Sequence, residues 1–187
     1  DTESMMKSLS RKRTKEDPIQ NALYDSLRSL ARMWNEAREQ VDALESEIED
    51  LMNENAPALM AMEGCGAVTG AQLAITAGDN PERMKSKSSF AALCGVSPVE
   101  ASSGEKVRHR LNQGGDRQVN CALTQIVLSR MRHDERTKAY VAKRRAQGRS
   151  KKEIKRCLKR YVANEAYRIL LNPKDVPDWQ GSELAKT

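Results

Sequence analysis

Two adjacent hydroxyls, Ser102 and Ser103, stand directly before Gly104 and Glu105, and Lys106, Arg108, His109 and Arg110 follow. A serine hydroxyl is a weak nucleophile at neutral pH and attacks only with help from a base or a metal ion. Arg108 and Arg110 alternate after the serines, and paired guanidinium groups suit the charge that builds on an attacked phosphate. Gly104 leaves room for backbone or nucleic acid to come close. On residue type alone, however, Ser-Ser-Gly reads first as a turn. No cluster of carboxylates for Mg²⁺ and no Ser-His-Asp set lies close by in sequence, so the segment reads as half of an active site. A hydrolase of small esters is a weak alternative, because no G-x-S-x-G elbow is present. His109 and His133 are isolated and read as hydrogen-bonding side chains rather than catalysts.

Other residues point to phosphate without chemistry of their own. Gly64 and Gly66 flank Cys65 ahead of an apolar helix, where exposed amides can hold a DNA phosphate. A tight helix–helix corner would use the same glycines. Gly114 and Gly115 precede a helix beginning near Asp116 and Arg117, again with amides at a positive dipole end, or simply as a flexible helix entry. The densest signal is the basic run Lys143, Arg144, Arg145, Arg149, Lys151, Lys152, Lys155, Arg156, Lys159 and Arg160. Between Glu105 and Arg160 there are 18 Lys/Arg against 5 Asp/Glu, whereas the rest of the chain carries 14 against 21. A chain polarised in this way places a polyanion on one face, and contact through the nucleic-acid backbone needs no base readout. With aromatic residues at 4%, base stacking is a minor contributor.

The elements that must carry these residues are helices. Low aromatic and β-branched content argues against a sandwich or barrel. Residues 1–17 read as a polar lead with Arg11, Lys12, Arg13 and Lys15. In 18–56, Leu23, Leu27, Leu30, Trp34, Ala37, Val41, Leu44, Ile48 and Leu51 are spaced alternately four and three apart. That a/d seam is the pattern of a coiled coil, with a second copy or another helix as its partner. Pro57 should end the helix. Residues 58–171 read as a compact helical domain with a helix start at Asn80–Pro81 and a helix end at Gly95. A small β-hairpin is expected over 99–111, where Val99 and Ala101, then Val107, His109 and Leu111, alternate around the serines. Val119, Leu123, Ile126, Val127 and Met131 mark one apolar helix face. Tyr140 and Val141 belong to a basic helix ending near Gly148. Ser150 and Glu153 form a capping box for a last helix with Ile154, Cys157, Leu158, Tyr161, Val162 and Ile169 inward. Residues 172–187 read as an irregular tail. The fold class is therefore mainly α, a long N-terminal coiled-coil helix followed by a compact helical domain with a small β-hairpin.

The four cysteines are scattered without a C-x-x-C pair, which fits reduced, mostly buried thiols in a cytoplasmic protein rather than a zinc site. Charged residues are 31% of the chain. No apolar run is long enough to span a membrane, and no signal peptide is evident. The chain opens at Asp1 without an initiator Met, which suggests a fragment.

Gly95-Val96-Ser97-Pro98-Val99-Glu100-Ala101-Ser102-Ser103-Gly104, followed by Lys106-Val107-Arg108 and Gly114-Gly115-Asp116-Arg117, resembles the C-terminal domain of the insertion-sequence 110 family of transposases, with its 116 and 902 relatives. Gly64-Cys65-Gly66-Ala67-Val68-Thr69, Ala77-Gly78-Asp79 and Arg144-Arg145-Ala146-Gln147-Gly148 extend that resemblance, which covers about residues 58–171. The resemblance implies a partner RuvC-like domain whose carboxylates hold Mg²⁺, a structured guide RNA, and a serine that attacks a DNA phosphodiester to form a phosphoserine intermediate. It places the nucleophile at Ser103, with Ser102 as the alternative register. It implies an oligomer whose active site combines domains across protomers. Gly64, Gly66, Lys106, Arg108, Arg110, Gly114, Gly115, Arg117, Arg144, Arg145, Lys151, Lys152, Lys155 and Arg156 are the candidate nucleic-acid contacts. Without the RuvC-like domain the chain is expected to be catalytically silent. A non-catalytic coiled-coil dimer, binding nucleic acid as a scaffold or repressor, is the alternative.

Overall fold

A computed structural model describes residues 2–9, 17–78, 84–100, 109–112 and 114–172, with backbone alone at 2, 3, 99, 100 and 109–111. Among these the fold is mainly helical. The chain divides into two compact units, Asp1–Glu47 and Ile48–Thr187.

The first unit holds α1 (Thr2–Leu9) and most of α2 (Pro18–Asn55). The start of the polar lead, residues 2–9, is the helix α1. Glu3, Met5, Met6, Lys7 and Leu9 are good helix formers that a count of charges hides. The four basic residues that gave the lead its character lie outside the described residues. In α2, the Asp17 carboxylate accepts from the Ile19 amide at 3.1 Å, and Pro18 occupies the first turn, where its missing N–H loses nothing. At the other end Pro57 forces Ala56 out of the helical region. Along the helix Leu23, Leu27, Leu30, Val41, Leu44 and Leu51 are exposed, Leu23 and Leu30 each by 61%. Ala31, off the seam, is buried.

In the second unit, Ile48 and Met52 at the end of α2 join the core, so Ile48 serves that core rather than an open seam. Then come α3 (Pro57–Met60), α4 (Ala67–Ala77), α5 (Lys87–Leu93), β1 (Pro98–Glu100), β2 (His109–Leu111), α6 (Arg117–His133), α7 (Glu135–Ala146) and α8 (Lys151–Leu171). Helix α6 is central and packs against α4, α7 and α8, while α5 lies on α8. Val119, Leu123, Ile126 and Val127 are buried with Ile154, Leu158, Val162 and Ile169 opposite. Met131, Cys157 and Tyr161 are half-buried. Ala163, Ala166 and Tyr167, which the apolar count passed over, complete the α8 face. The connections follow their caps. Ser150 and Glu153 bond reciprocally at the start of α8. Asp134 both ends α6 and caps α7, accepting from the amides of Arg136 and Thr137. Burial works against its carboxylate, but the Thr137 hydroxyl, those amides and Arg130 outweigh it and hold its pKa low.

Two departures from the sequence reading matter. The β-hairpin is not supported as a hairpin. β1 and β2 pair antiparallel over three residues each, Pro98 with Leu111 through Glu100 with His109, but residues 101–108 between them lie outside the described residues. The expected helix start at Asn80–Pro81 also lies outside the described residues, and α5 is capped by Ser86. The thiols are not mostly buried either. Cys94 is buried, Cys65 and Cys157 are half-buried and Cys121 is exposed. Cys121 sits beside, not on, the inward face set by Val119, Ala122 and Ile126. Burial, with the Asp116 charge second, pushes the Cys94 thiol up to about 12, and burial also raises Cys65. Reactivity follows thiolate and access, so iodoacetamide at neutral pH should modify Cys121 first and Cys94 last. Peptide mass spectrometry over a time course checks that order, and early labelling of Cys94 would contradict the packing.

Candidate functional site

The serine segment rises from a closely built root. After α5, Gly95 takes a positive φ of 66°, and the amides of Val96 and Ser97 both donate to the Ala91 carbonyl. The chain then enters β1. It returns through β2 to Asn112, whose side-chain amide donates to the Ala92 carbonyl at 3.3 Å. The Asp116 amide donates to the Leu93 carbonyl at 2.8 Å. Asn120 donates to the carbonyls of both Cys94 and Gly95, at 3.0 and 3.1 Å. Its own carbonyl accepts from Lys159 Nζ at 2.8 Å. From α4, the Thr76 hydroxyl donates to Asp116 Oδ2 at 2.9 Å, while Asp116 Oδ1 caps α6 at the Gln118 amide. Both ends of 98–111 are therefore pinned to the same end of α6.

The candidate glycines separate into distinct roles. A Cβ at Gly115 would lie 2.2 Å from the Gly95 nitrogen and 2.3 Å from its Cα, so Gly115 is where the two roots touch backbone to backbone. Gly114 is exposed, but its amide donates to Asn112 Oδ1 at 2.9 Å. Gly64, at φ 72°, packs on α6, where a Cβ would meet Arg130 Cγ at 3.1 Å and the Ile126 carbonyl at 3.2 Å. That is the tight corner. Gly66 faces open space at the start of α4, and its amide donates to Thr69 Oγ1 at 2.9 Å.

The basic run is mostly on the surface. Lys143, Arg145, Arg149, Lys151, Lys152 and Arg156 are exposed around the end of α7 and the start of α8, as is Arg117 at the start of α6. Lys155 is half-buried. Arg144 is engaged internally: its guanidinium lies 5.9 Å from the Tyr140 ring centre and donates to Gln147 Oε1. Lys159 also differs from its neighbours. Burial, then the charges of Arg156 and Lys155, lower its pKa, partly offset by Cys121.

Ser102, Ser103, Lys106 and Arg108 lie outside the described residues, and Arg110 is placed by backbone alone in β2 opposite Val99. Among the described residues no three His, Cys, Asp or Glu come together as a metal site, and no helix is long and apolar enough to cross a membrane. Sequence reasoning passed over Asn120 and Thr76. The available signal was a polar Asn120 beside Val119 on an otherwise inward helix face.

Residues 56–142 match the family described as "Transposase IS116/IS110/IS902 family". That stretch begins just before α3 and ends within α7, and it contains the whole serine segment with both of its roots. The chain is also 30% identical over 125 residues to "Insertion element IS110 uncharacterized 43.6 kDa protein" of Streptomyces coelicolor. That alignment takes in 65% of this chain and 31% of the relative, so the chain spans about a third of the relative's length. Residues 56–142 are thus similar to a transposase region of the IS116/IS110/IS902 family.

Proposed function

We propose that this chain supplies the serine-bearing half of a DNA transposase active site. Ser103 Oγ attacks a DNA phosphodiester, the bond to one bridging oxygen breaks, and the DNA is left joined to the protein as a phosphoserine ester. The departing strand end keeps the oxygen and takes up a proton. Attack by a second strand's hydroxyl on that ester completes the exchange and frees the serine. The family match across 56–142 carries this reading, because it contains Ser103 and the pinned segment around it.

Activation of the hydroxyl comes from a RuvC-like domain joined to this chain, where carboxylates hold Mg²⁺ and the ion would favour the deprotonated nucleophile. The residues described here offer no such carboxylate set. Their part is to hold the serine segment and to bind the nucleic-acid backbone. Arg117, Arg145, Lys151, Lys152, Lys155 and Arg156 supply exposed or half-exposed charge for that contact, on DNA and on a guide RNA. Arg108, Arg110 and Lys106 flank the serine and would face the attacked phosphate. The exposed leucines of α2 pair with a second copy.

Covalent trapping tests the reading. The protein joined to its RuvC-like domain is given Mg²⁺, guide RNA and nicked, end-labelled DNA, and resolved on denaturing gels. A protein–DNA band is expected for wild type and for Ser102→Ala but not for Ser103→Ala. Loss in Ser102→Ala alone would move the nucleophile by one residue. No band from protein that binds DNA and RNA well would leave a non-catalytic scaffold or repressor.

A further inference from the structure

We infer that Asn120, held in place by Lys159, is the positioning residue that fixes the root of the serine segment at Cys94 and Gly95 relative to the cations of α8. This rests on the serine reading above. The Asn120 carboxamide uses both its donor and its acceptor ends. Its nitrogen reaches two consecutive carbonyls, Cys94 at 3.0 Å and Gly95 at 3.1 Å. These close α5 immediately before the chain turns toward β1, so they would otherwise be orphan carbonyls at a helix end. Gly115 of the returning strand lies against Gly95, and the Asp116 amide is bonded to the Leu93 carbonyl. The Asn120 side chain therefore ties the outgoing root to α6, and the returning root is held to the outgoing one backbone to backbone.

The other end of the carboxamide explains Lys159. Its amine is half-buried and donates to Asn120 Oδ1 at 2.8 Å, with Arg156 and Lys155 close enough to disfavour its charge. Placing a third cation there is unfavourable unless the amine is wanted at that point. By fixing the amide's orientation, Lys159 decides that Asn120 offers its N–H groups to Cys94 and Gly95. Lys155 and Arg156, one turn earlier on the same helix, are candidate phosphate contacts. The serine's root and the groups that would hold the DNA backbone are thus referenced to one rigid frame. A reactive group displaced by about 1 Å can slow a step about 10²-fold.

The test joins two measurements on Asn120→Ala, Lys159→Met and Lys159→Arg. The first is amide hydrogen exchange in this chain. Asn120→Ala should speed exchange at Val96, Ser97 and Asp116 about tenfold or more, with the interior of α8 unchanged. The second is the single-turnover rate of covalent capture at saturating DNA, in the protein joined to its RuvC-like domain. Asn120→Ala and Lys159→Met should slow capture by about 10²-fold at unchanged DNA affinity for Asn120→Ala, and Lys159→Arg should restore most of it. Unaltered exchange in Asn120→Ala overturns the inference whatever the serine does. Faster exchange with undiminished capture overturns it too, because the root would then be held without positioning the nucleophile. Faster exchange in a protein whose wild type captures no DNA instead overturns the serine reading, leaving Asn120 as the holder of the root alone.

Discussion

Glu165→Ala is expected to lower the unfolding free energy of the helical unit by about 3–5 kcal/mol. Glu165 accepts from both terminal nitrogens of Arg130, at 2.7 and 3.1 Å. Arg130 is only 3% exposed. Its Nε donates to the Glu63 carbonyl at 2.6 Å, just before the Gly64 corner. Removing the carboxylate leaves a guanidinium in the core with its charge unpaired, and domains of this size are stable by only about 5–15 kcal/mol. The pair itself is a different matter. Exchanging both partners for apolar residues of similar volume is often neutral or favourable, so Arg130→Met with Glu165→Leu should recover much of the loss. Urea unfolding of the three variants, followed by circular dichroism, separates these contributions. A midpoint for Glu165→Ala equal to that of wild type would mean that the pair is not closed in solution.

That pair also marks where sequence reasoning ends. The apolar period of α6 and α8 is visible because hydrophobic burial leaves a repeat of three to four residues. Ser150 with Glu153 is visible because a capping box is local. Arg130 and Glu165 are 35 residues apart and look like two more surface charges in a chain rich in them. Nothing local says that they meet. Gly64 is a similar case. A glycine before a helix serves a phosphate or a close-packed corner equally well, and only the position of α6 decides for the corner. Cys121 was misjudged because cysteine is usually buried, while one step around the helix takes it out of the core. The serines enter by resemblance alone. The root that carries them was not legible, since Asn120, Thr76 and Lys159 act through contacts between elements far apart in the chain.

The neighbouring glycines 114 and 115 offer a sharp contrast. Gly115→Ala should destabilise the helical unit by about 3 kcal/mol, at the upper end of overpacking costs. The added methyl would sit 2.2 Å from the Gly95 nitrogen, 2.3 Å from its Cα and 2.9 Å from the Ala92 carbonyl. These are backbone atoms and cannot rotate aside, so the two roots must separate. Gly114→Ala meets nothing nearer than Asn112 Oδ1 at 3.5 Å, an ordinary contact, and should change stability by less than about 0.5 kcal/mol. Thermal melts of both variants, with nucleic-acid binding measured well below either melting point, distinguish packing from phosphate recognition. If Gly115 served only to let a phosphate approach its backbone closely, the added methyl would weaken binding and spare stability. The contact with Gly95 requires the opposite order, a large loss of stability at 115 beside a silent change at 114. Separation of the roots also releases the Asp116 amide from Leu93, so the same substitution should slow covalent DNA capture by the joined protein before it affects the basic surface on α8.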